Sequence, residues 1–156
     1  MTAKSDLIAE LQSGCDGFRG AIAALPGDAY NERWLGDWNL SQLLAHMAGW
    51  WREMAGSFER AARGERPTPE GVDYSDEDAW NARFAANAKP GAAALTHWDE
   101  AFAAYSAAAT ALPEALYGID PEKDRPRIGN RLLGGPGIHH FQEHREQLQA
   151  WLASRK

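Results

Sequence analysis

The sequence contains a single cysteine, Cys15, among its 156 residues. An internal disulfide is therefore excluded, and so low a cysteine content is typical of proteins in a reducing compartment. No stretch approaches the ~20 apolar residues that a membrane-spanning helix needs. Residues 1–7 have no apolar core and no cleavage signature, so we expect no signal peptide. These absences predict a cytoplasmic protein with no membrane partner.

Positive charge is also scarce, with 16 Lys and Arg against 22 Asp and Glu and a net charge of −6. Because the basic residues form no stripe or large cluster, we expect no nucleic-acid partner. The hydrophobic fraction of 44% and the seven tryptophans instead predict a packed globular protein. At this length we expect one domain that spans residues 1–156.

Strand-like alternation of apolar and polar residues is absent, whereas apolar residues recur at helical spacing. The pattern predicts an all-α fold, an up-and-down four-helix bundle with one extra short helix. Glycine and proline mark loops over 64–74 and 113–136. The predicted long helices are residues 5–25, 40–63, 92–112 (or 96–112) and 137–152, and the short helix is 75–87.

Two histidines in the last predicted helix, His140 and His144, are four residues apart. An advance of about 100° per residue places them about 40° apart on the helix surface, one turn above the other. Both fall on one flank of the apolar stripe that contains Phe141 and Leu148. On the same count His139 faces solvent. The pair can therefore chelate one ion at the edge of the core.

A third histidine, His46, lies on the flank of the apolar stripe of the second predicted helix. Three neutral imidazoles suit Zn²⁺, and also Ni²⁺, Fe²⁺, Co²⁺ or Mn²⁺. They leave a coordination position open, as a catalytic metal requires. The alternative is that all three are partly buried histidines that hydrogen-bond to their neighbours. Gly49, one turn further on, would allow another helix to pack closely beside this site.

Several other residues have both a functional and an ordinary interpretation. Trp50, one turn from His46, is the best candidate for a wall of a substrate cleft. Arg131, in the arginine-containing loop 113–136, is a candidate for binding an anionic substrate, although a solvated loop arginine is at least as good an interpretation. His97 as a fourth ligand and Glu53 as a base or ligand-orienting group are less favoured than exposed polar side chains. Cys15 has no histidine partner in the sequence and is not expected to be a nucleophile.

The segments Trp38–Trp50 and His140–Leu148 resemble the second-helix and last-helix motifs of the DinB/YfiT-like proteins. The resemblance implies a four-helix bundle, often a homodimer. It also implies a divalent metal, commonly zinc or nickel, held by His46, His140 and His144. Several members are transferases or isomerases that use a low-molecular-weight thiol such as mycothiol, bacillithiol or glutathione.

The residues and the resemblance together predict a metal-dependent enzyme. It would activate a low-molecular-weight thiol or water for transfer to, or hydrolysis of, a small electrophilic substrate. The alternative is a non-catalytic protein that binds a small molecule or confers self-resistance, as in the ClbS-like branch, with no essential metal. That branch lacks the three histidines, which argues against it here. A metal-free structural bundle is the third hypothesis.

Overall fold

Four long helices form the fold, which we describe from a computed structural model covering residues 2–155. Their packing confirms the predicted all-α bundle with one extra short helix. No helix within this range combines the length and apolarity needed to cross a bilayer. In chain order the helices are α1 (Ala3–Ile22), α2 (Leu40–Ala62), the short α3 (Glu77–Ala86), α4 (Gly91–Ala111), the six-residue α5 (Ile128–Leu133) and α6 (His140–Ser154).

The core lies around Trp51, which is fully buried on α2. Its ring centroid lies 5.3 Å from those of Trp98 and Phe102 on α4 and 5.2 Å from that of Phe141 on α6. Aromatic side chains bury the largest apolar areas, so this group contributes much of the hydrophobic stabilisation. Helix α2 is thereby held against α4 along most of its length.

The start of α2 is set by a reciprocal capping box, as its sequence predicts. The Asn39 side chain accepts a hydrogen bond from the Gln42 amide, and the Gln42 side chain accepts one from the Asn39 amide, both at 2.9 Å. Two of the unpaired amides at the helix N-terminus are satisfied in this way. The cap therefore fixes where α2 begins and, with it, which face presents His46.

Gly49 brings α3 against α2. A Cβ atom built on Gly49 would lie 2.2 Å from ring atoms of Phe84, a distance that no real contact allows. The close packing predicted beside the site is confirmed, and its partner is α3. Only glycine permits this approach without displacement of the Phe84 ring.

The loops contain more structure than the sequence predicts. Two short antiparallel hairpins are present, β1 (Arg33–Leu35) with β2 (Trp38–Asn39) and β3 (Ile119–Asp120) with β4 (Arg125–Pro126). Strands of two or three residues are too short to show an alternating pattern. The loop predicted over 113–136 also contains α5, whose six residues are too few for a helical period.

A π-helical turn, Gly134–His139, joins α5 directly to α6, so the last helix does not begin at Gly137 as predicted. Pro136 has no amide hydrogen for the Leu132 carbonyl four residues earlier, and the Tyr105 hydroxyl donates to that carbonyl at 2.5 Å. A Cβ on Gly137 would lie 2.7 Å from the Tyr105 oxygen. The turn therefore continues the helical path while changing its register just before His140.

Cys15 lies on α1 and is only 7% exposed. Burial, with smaller contributions from Asp16 and Asp99, raises the pKa of its thiol to about 12. We expect native protein at about pH 8 to react with a disulfide reagent such as DTNB at least ~100-fold more slowly than protein in concentrated guanidinium chloride, because the thiolate is the reactive form. Equal rates would contradict the burial and restore Cys15 as a candidate nucleophile.

Candidate metal centre

The three predicted ligands converge at one end of the bundle. His46 comes from α2, and His140 and His144 come from successive turns of α6. The Nε2 atom of His46 lies 2.8 Å from Nε2 of His140 and 3.3 Å from Nε2 of His144. One ligand atom from each side chain lies within 4.8 Å of the other two. In a tetrahedral zinc site, Zn–N bonds of about 2.0–2.1 Å place nitrogen atoms roughly 3.3–3.4 Å apart. The His46–His144 separation agrees with this spacing, whereas His46 and His140 lie closer together, at the distance of a hydrogen bond.

The rings meet edge to face. The His46 ring plane lies at 89° to that of His140 and at 90° to that of His144. His46 and His144 are 7% and 6% exposed, whereas His140 is half-buried. The cluster is therefore largely shielded from water, with one side open through His140.

Hydrogen bonds from the chain fix the tautomers of the two α6 histidines. Nδ1 of His140 lies 3.0 Å from the Pro136 carbonyl oxygen, and Nδ1 of His144 lies 2.6 Å from Oε1 of Gln147. Both oxygens can only accept, so each Nδ1 must carry a proton. In the neutral imidazole the proton is then absent from Nε2, whose lone pair points into the cluster.

The ionisation of the cluster favours metal binding as well. Burial, then repulsion from a protonated His144, lowers the pKa of His46 to about 4. Burial and the two neighbouring histidines lower the pKa of His140 well below its usual range, and burial lowers that of His144. At neutral pH all three imidazoles are therefore uncharged, and this is the form that binds a metal ion.

These observations fit a divalent transition ion. With Nδ1 protonated on both α6 histidines, two Nε2 lone pairs converge, and His46 can donate a single Nε2 hydrogen between them. Nδ1 of His46 is itself buried and forms no well-aligned hydrogen bond among residues 2–155, although the Asn81 side chain lies close enough to oppose the lowering of the His46 pKa. A cation between the three Nε2 atoms would satisfy all three lone pairs, and imidazole nitrogen is a preferred ligand for zinc and nickel. The donor set thus suits the predicted ion.

A cavity of about 530 Å³ opens beside the three histidines. Its walls come from α2, α3, α6, the π-helical turn and the segments that precede α2 and α3. The lining residues include all three histidines together with Trp38, Trp50, Met54, Tyr74, Glu77, Asn81, Gly135, Pro136 and Glu143. The open side of the cluster therefore faces a space that a small organic molecule can fill.

Among the other candidate residues, Trp50 lines the cavity, as a cleft wall would. Arg131 is exposed on α5 and is not among the lining residues, so its predicted role in substrate binding gains no support from the cavity. His139 is exposed, as expected, and His97 on α4 is not in the cluster. Glu53 accepts a hydrogen bond from the Tyr74 hydroxyl at 3.3 Å and is not among the lining residues.

The lining residues that sequence reasoning missed include Tyr74, Glu77, Asn81 and Glu143. Glu143 is exposed on α6 and also lines the cavity, so it lies at the cavity mouth. Residues three apart are neighbours on a helix surface, so the spacing of Glu143 from His140 could have placed it beside the site. The other three depend on how α3 and the segment before it pack against α2, which no local pattern shows.

The fold is shared with solved structures of low sequence identity. A Streptococcus pneumoniae protein matches with a TM-score of 0.77 and 15% identity over 96% of this chain and 90% of that chain. An uncharacterised protein from Clostridium difficile 630 matches with a TM-score of 0.76 and 13% identity, over 96% and 95%. A mycothiol-dependent maleylpyruvate isomerase matches with a TM-score of 0.72 and 16% identity, over 95% of this chain and 63% of that chain.

No protein-family model matches the sequence, and no curated protein matches it significantly. At identities this low the structural matches establish the fold alone. They confirm the predicted all-α bundle, and a mycothiol-dependent maleylpyruvate isomerase is among the proteins that share it. This chain corresponds to less than two thirds of the length of that isomerase.

Proposed function

We propose that the protein is a metal-dependent enzyme that activates a low-molecular-weight thiol or water for attack on a small electrophilic substrate. His46, His140 and His144 would hold a divalent ion, with zinc or nickel as the best candidates. The observation that carries the proposal is the convergence of three Nε2 atoms at the wall of a cavity, two of them held unprotonated by carbonyl partners. An ion held there would lower the pKa of a thiol or water beside it.

The surrounding residues suit such a reaction. Trp38 and Trp50 give the cavity aromatic walls, and the Asn81 side chain presents polar atoms that can orient a substrate. A shared fold with a mycothiol-dependent isomerase supports a thiol as the cosubstrate. A cytoplasmic location and a homodimer remain predictions.

Elemental analysis of protein purified without a histidine tag tests the proposal. We expect about one equivalent of a transition metal per chain, as three-histidine sites hold a single ion. Metal-loaded protein should then accelerate the reaction of a thiol with small electrophiles over many turnovers. Absence of metal as purified, together with no binding of added Zn²⁺ or Ni²⁺, would overturn the proposal.

The cavity also supports the second candidate, a non-catalytic protein that binds a small molecule. Its aromatic walls can hold a ligand without any reaction. Turnover separates the two functions, because a binding protein would protect or sequester only one ligand per site. We therefore expect product to exceed the molar amount of protein in the thiol-transfer assay.

A further inference from the structure

Two acidic side chains line the cavity beside the histidines. Glu77 reaches it from α3 and Glu143 from α6, and both are exposed. Within residues 2–155 neither carboxylate forms an ion pair, since the three pairs present involve other residues. Two unpaired carboxylates on opposing helices create a negative potential where a ligand would enter.

No lysine or arginine is among the residues that line this cavity, all of which belong to the described chain. The nearby guanidinium groups have other contacts. Arg83 lies over the ring of Trp80 at 4.4 Å, and Arg60 donates to the Pro67 carbonyl at 2.7 Å. In the arginine-containing loop, Arg127 donates to the Tyr117 carbonyl at 3.1 Å. The bidentate arginine contact that carboxylate or phosphate ligands favour is therefore missing from the cavity wall.

The aromatic walls are held in place. The Trp50 indole N–H donates to Oδ1 of Asn81 at 2.7 Å, and the Tyr74 ring packs edge-on against Trp50 with centroids 5.6 Å apart. The Tyr74 hydroxyl in turn donates to Glu53. Fixed aromatic faces near carboxylates are the arrangement with which proteins recognise organic cations. They also provide flat apolar surface for a ring of the ligand.

We propose that this cavity selects an organic cation, a small molecule with an ammonium group attached to an apolar ring, over carboxylate-bearing molecules. The ammonium group binds at the mouth beside Glu77 and Glu143, away from the charge of an ion held by the histidines. The ring lies along Trp50 and directs the rest of the molecule towards the three imidazoles. The inference rests on the proposed function insofar as it takes this cavity to be the substrate site.

Binding of three matched probes tests the selectivity: benzyltrimethylammonium, benzyl alcohol and benzenesulfonate. Each is titrated by calorimetry into protein as purified and after addition of one equivalent of Zn²⁺, so that ligand selectivity is measured separately from metal binding. We expect the cation to bind about tenfold more tightly than the anion, with the neutral probe between them. Because the carboxylates lie at an exposed mouth, this preference should weaken at high salt.

Variants locate the interaction. Glu77→Gln and Glu143→Gln should each weaken binding of the cation by about two- to fivefold, as exposed charges do, and leave benzyl alcohol unaffected. The matched control is Glu146→Gln, an exposed α6 carboxylate that does not line the cavity, and it should change nothing. Equal or tighter binding of the anion, no binding of any probe, or an equal effect of the control would each overturn the inference. The metal content of the protein tests the proposed function separately from the binding of these probes.

Discussion

His140→Ala and His144→Ala will each abolish stoichiometric metal binding, whereas His139→Ala will leave it intact. The first two variants remove one of three Nε2 donors from the cluster, and the third removes an exposed side chain adjacent to His140. Changes in outer-shell partners alone cost 10–100-fold in metal affinity, so loss of a ligand should cost at least about 100-fold. Elemental analysis and a competition titration with a chromophoric chelator measure both quantities.

The three variants form a matched set because they lie within six consecutive residues of one helical segment. Circular dichroism of each variant will show whether helix content is retained, so that loss of metal is not confused with loss of fold. His46→Ala should behave like the two α6 variants, although its side chain lies on another helix. Metal loss in all four variants would contradict the assignment of His139 to solvent, and metal retention in His46→Ala would leave only a two-histidine site.

The metal-ligand candidates could be found from sequence because helical periodicity is a local property. The spacing of His140 and His144 places both on one face whatever the rest of the chain does. His46 was found in the same way, from its angle to the apolar stripe of α2. Their convergence, by contrast, requires α2 and α6 to pack side by side, and the resemblance to a known family supplied that step.

The cavity could not be predicted to the same extent, since it forms where segments distant in sequence meet. Asn81 and Glu77 reach it only because Gly49 lets α3 pack against α2 with Phe84 in the space that a side chain would occupy. Nothing in the ten residues of α3 shows which helix they contact. For Arg131, the loop composition indicated positive charge but not the direction in which α5 presents the side chain, so its role in substrate binding stays a prediction.

The turn before α6 could not be predicted from the sequence for a different reason. The run Gly134–Gly137 marks a break in any helical prediction, since glycine and proline both disfavour an α-helix. The chain nevertheless continues as a π-helical turn, because the Tyr105 hydroxyl, 27 residues away, donates to the Leu132 carbonyl. A tertiary hydrogen bond thus overrides a local signal, and the orientation of His140 depends on it through the Pro136 carbonyl.

The adjacent residues Trp50 and Trp51 should differ sharply when each is replaced by alanine. Trp51 is fully buried in the aromatic core, so Trp51→Ala should lower the free energy of unfolding by about 3–5 kcal/mol, a large part of the 5–15 kcal/mol typical of a domain. Trp50 is half-buried at the cavity wall, and Trp50→Ala should cost roughly 1–2 kcal/mol. Chemical denaturation measures both changes in the free energy of unfolding, provided that its dependence on denaturant concentration is the same for the two variants.

Variants of Trp50 and Trp51 also distinguish a role in the core from a role in the cavity wall. Trp50→Ala should retain metal and lose affinity for the aromatic cation, because its ring forms the cavity wall without contacting a ligand nitrogen. Trp51 donates its indole N–H to the Pro136 carbonyl at 3.1 Å, the same oxygen that accepts from His140. Trp51→Phe, which keeps an apolar ring but loses this donor, should therefore be closer to the native protein in stability than Trp51→Ala. Equal destabilisation by Trp50→Ala and Trp51→Ala would contradict the division of α2 into a core face and a cavity face.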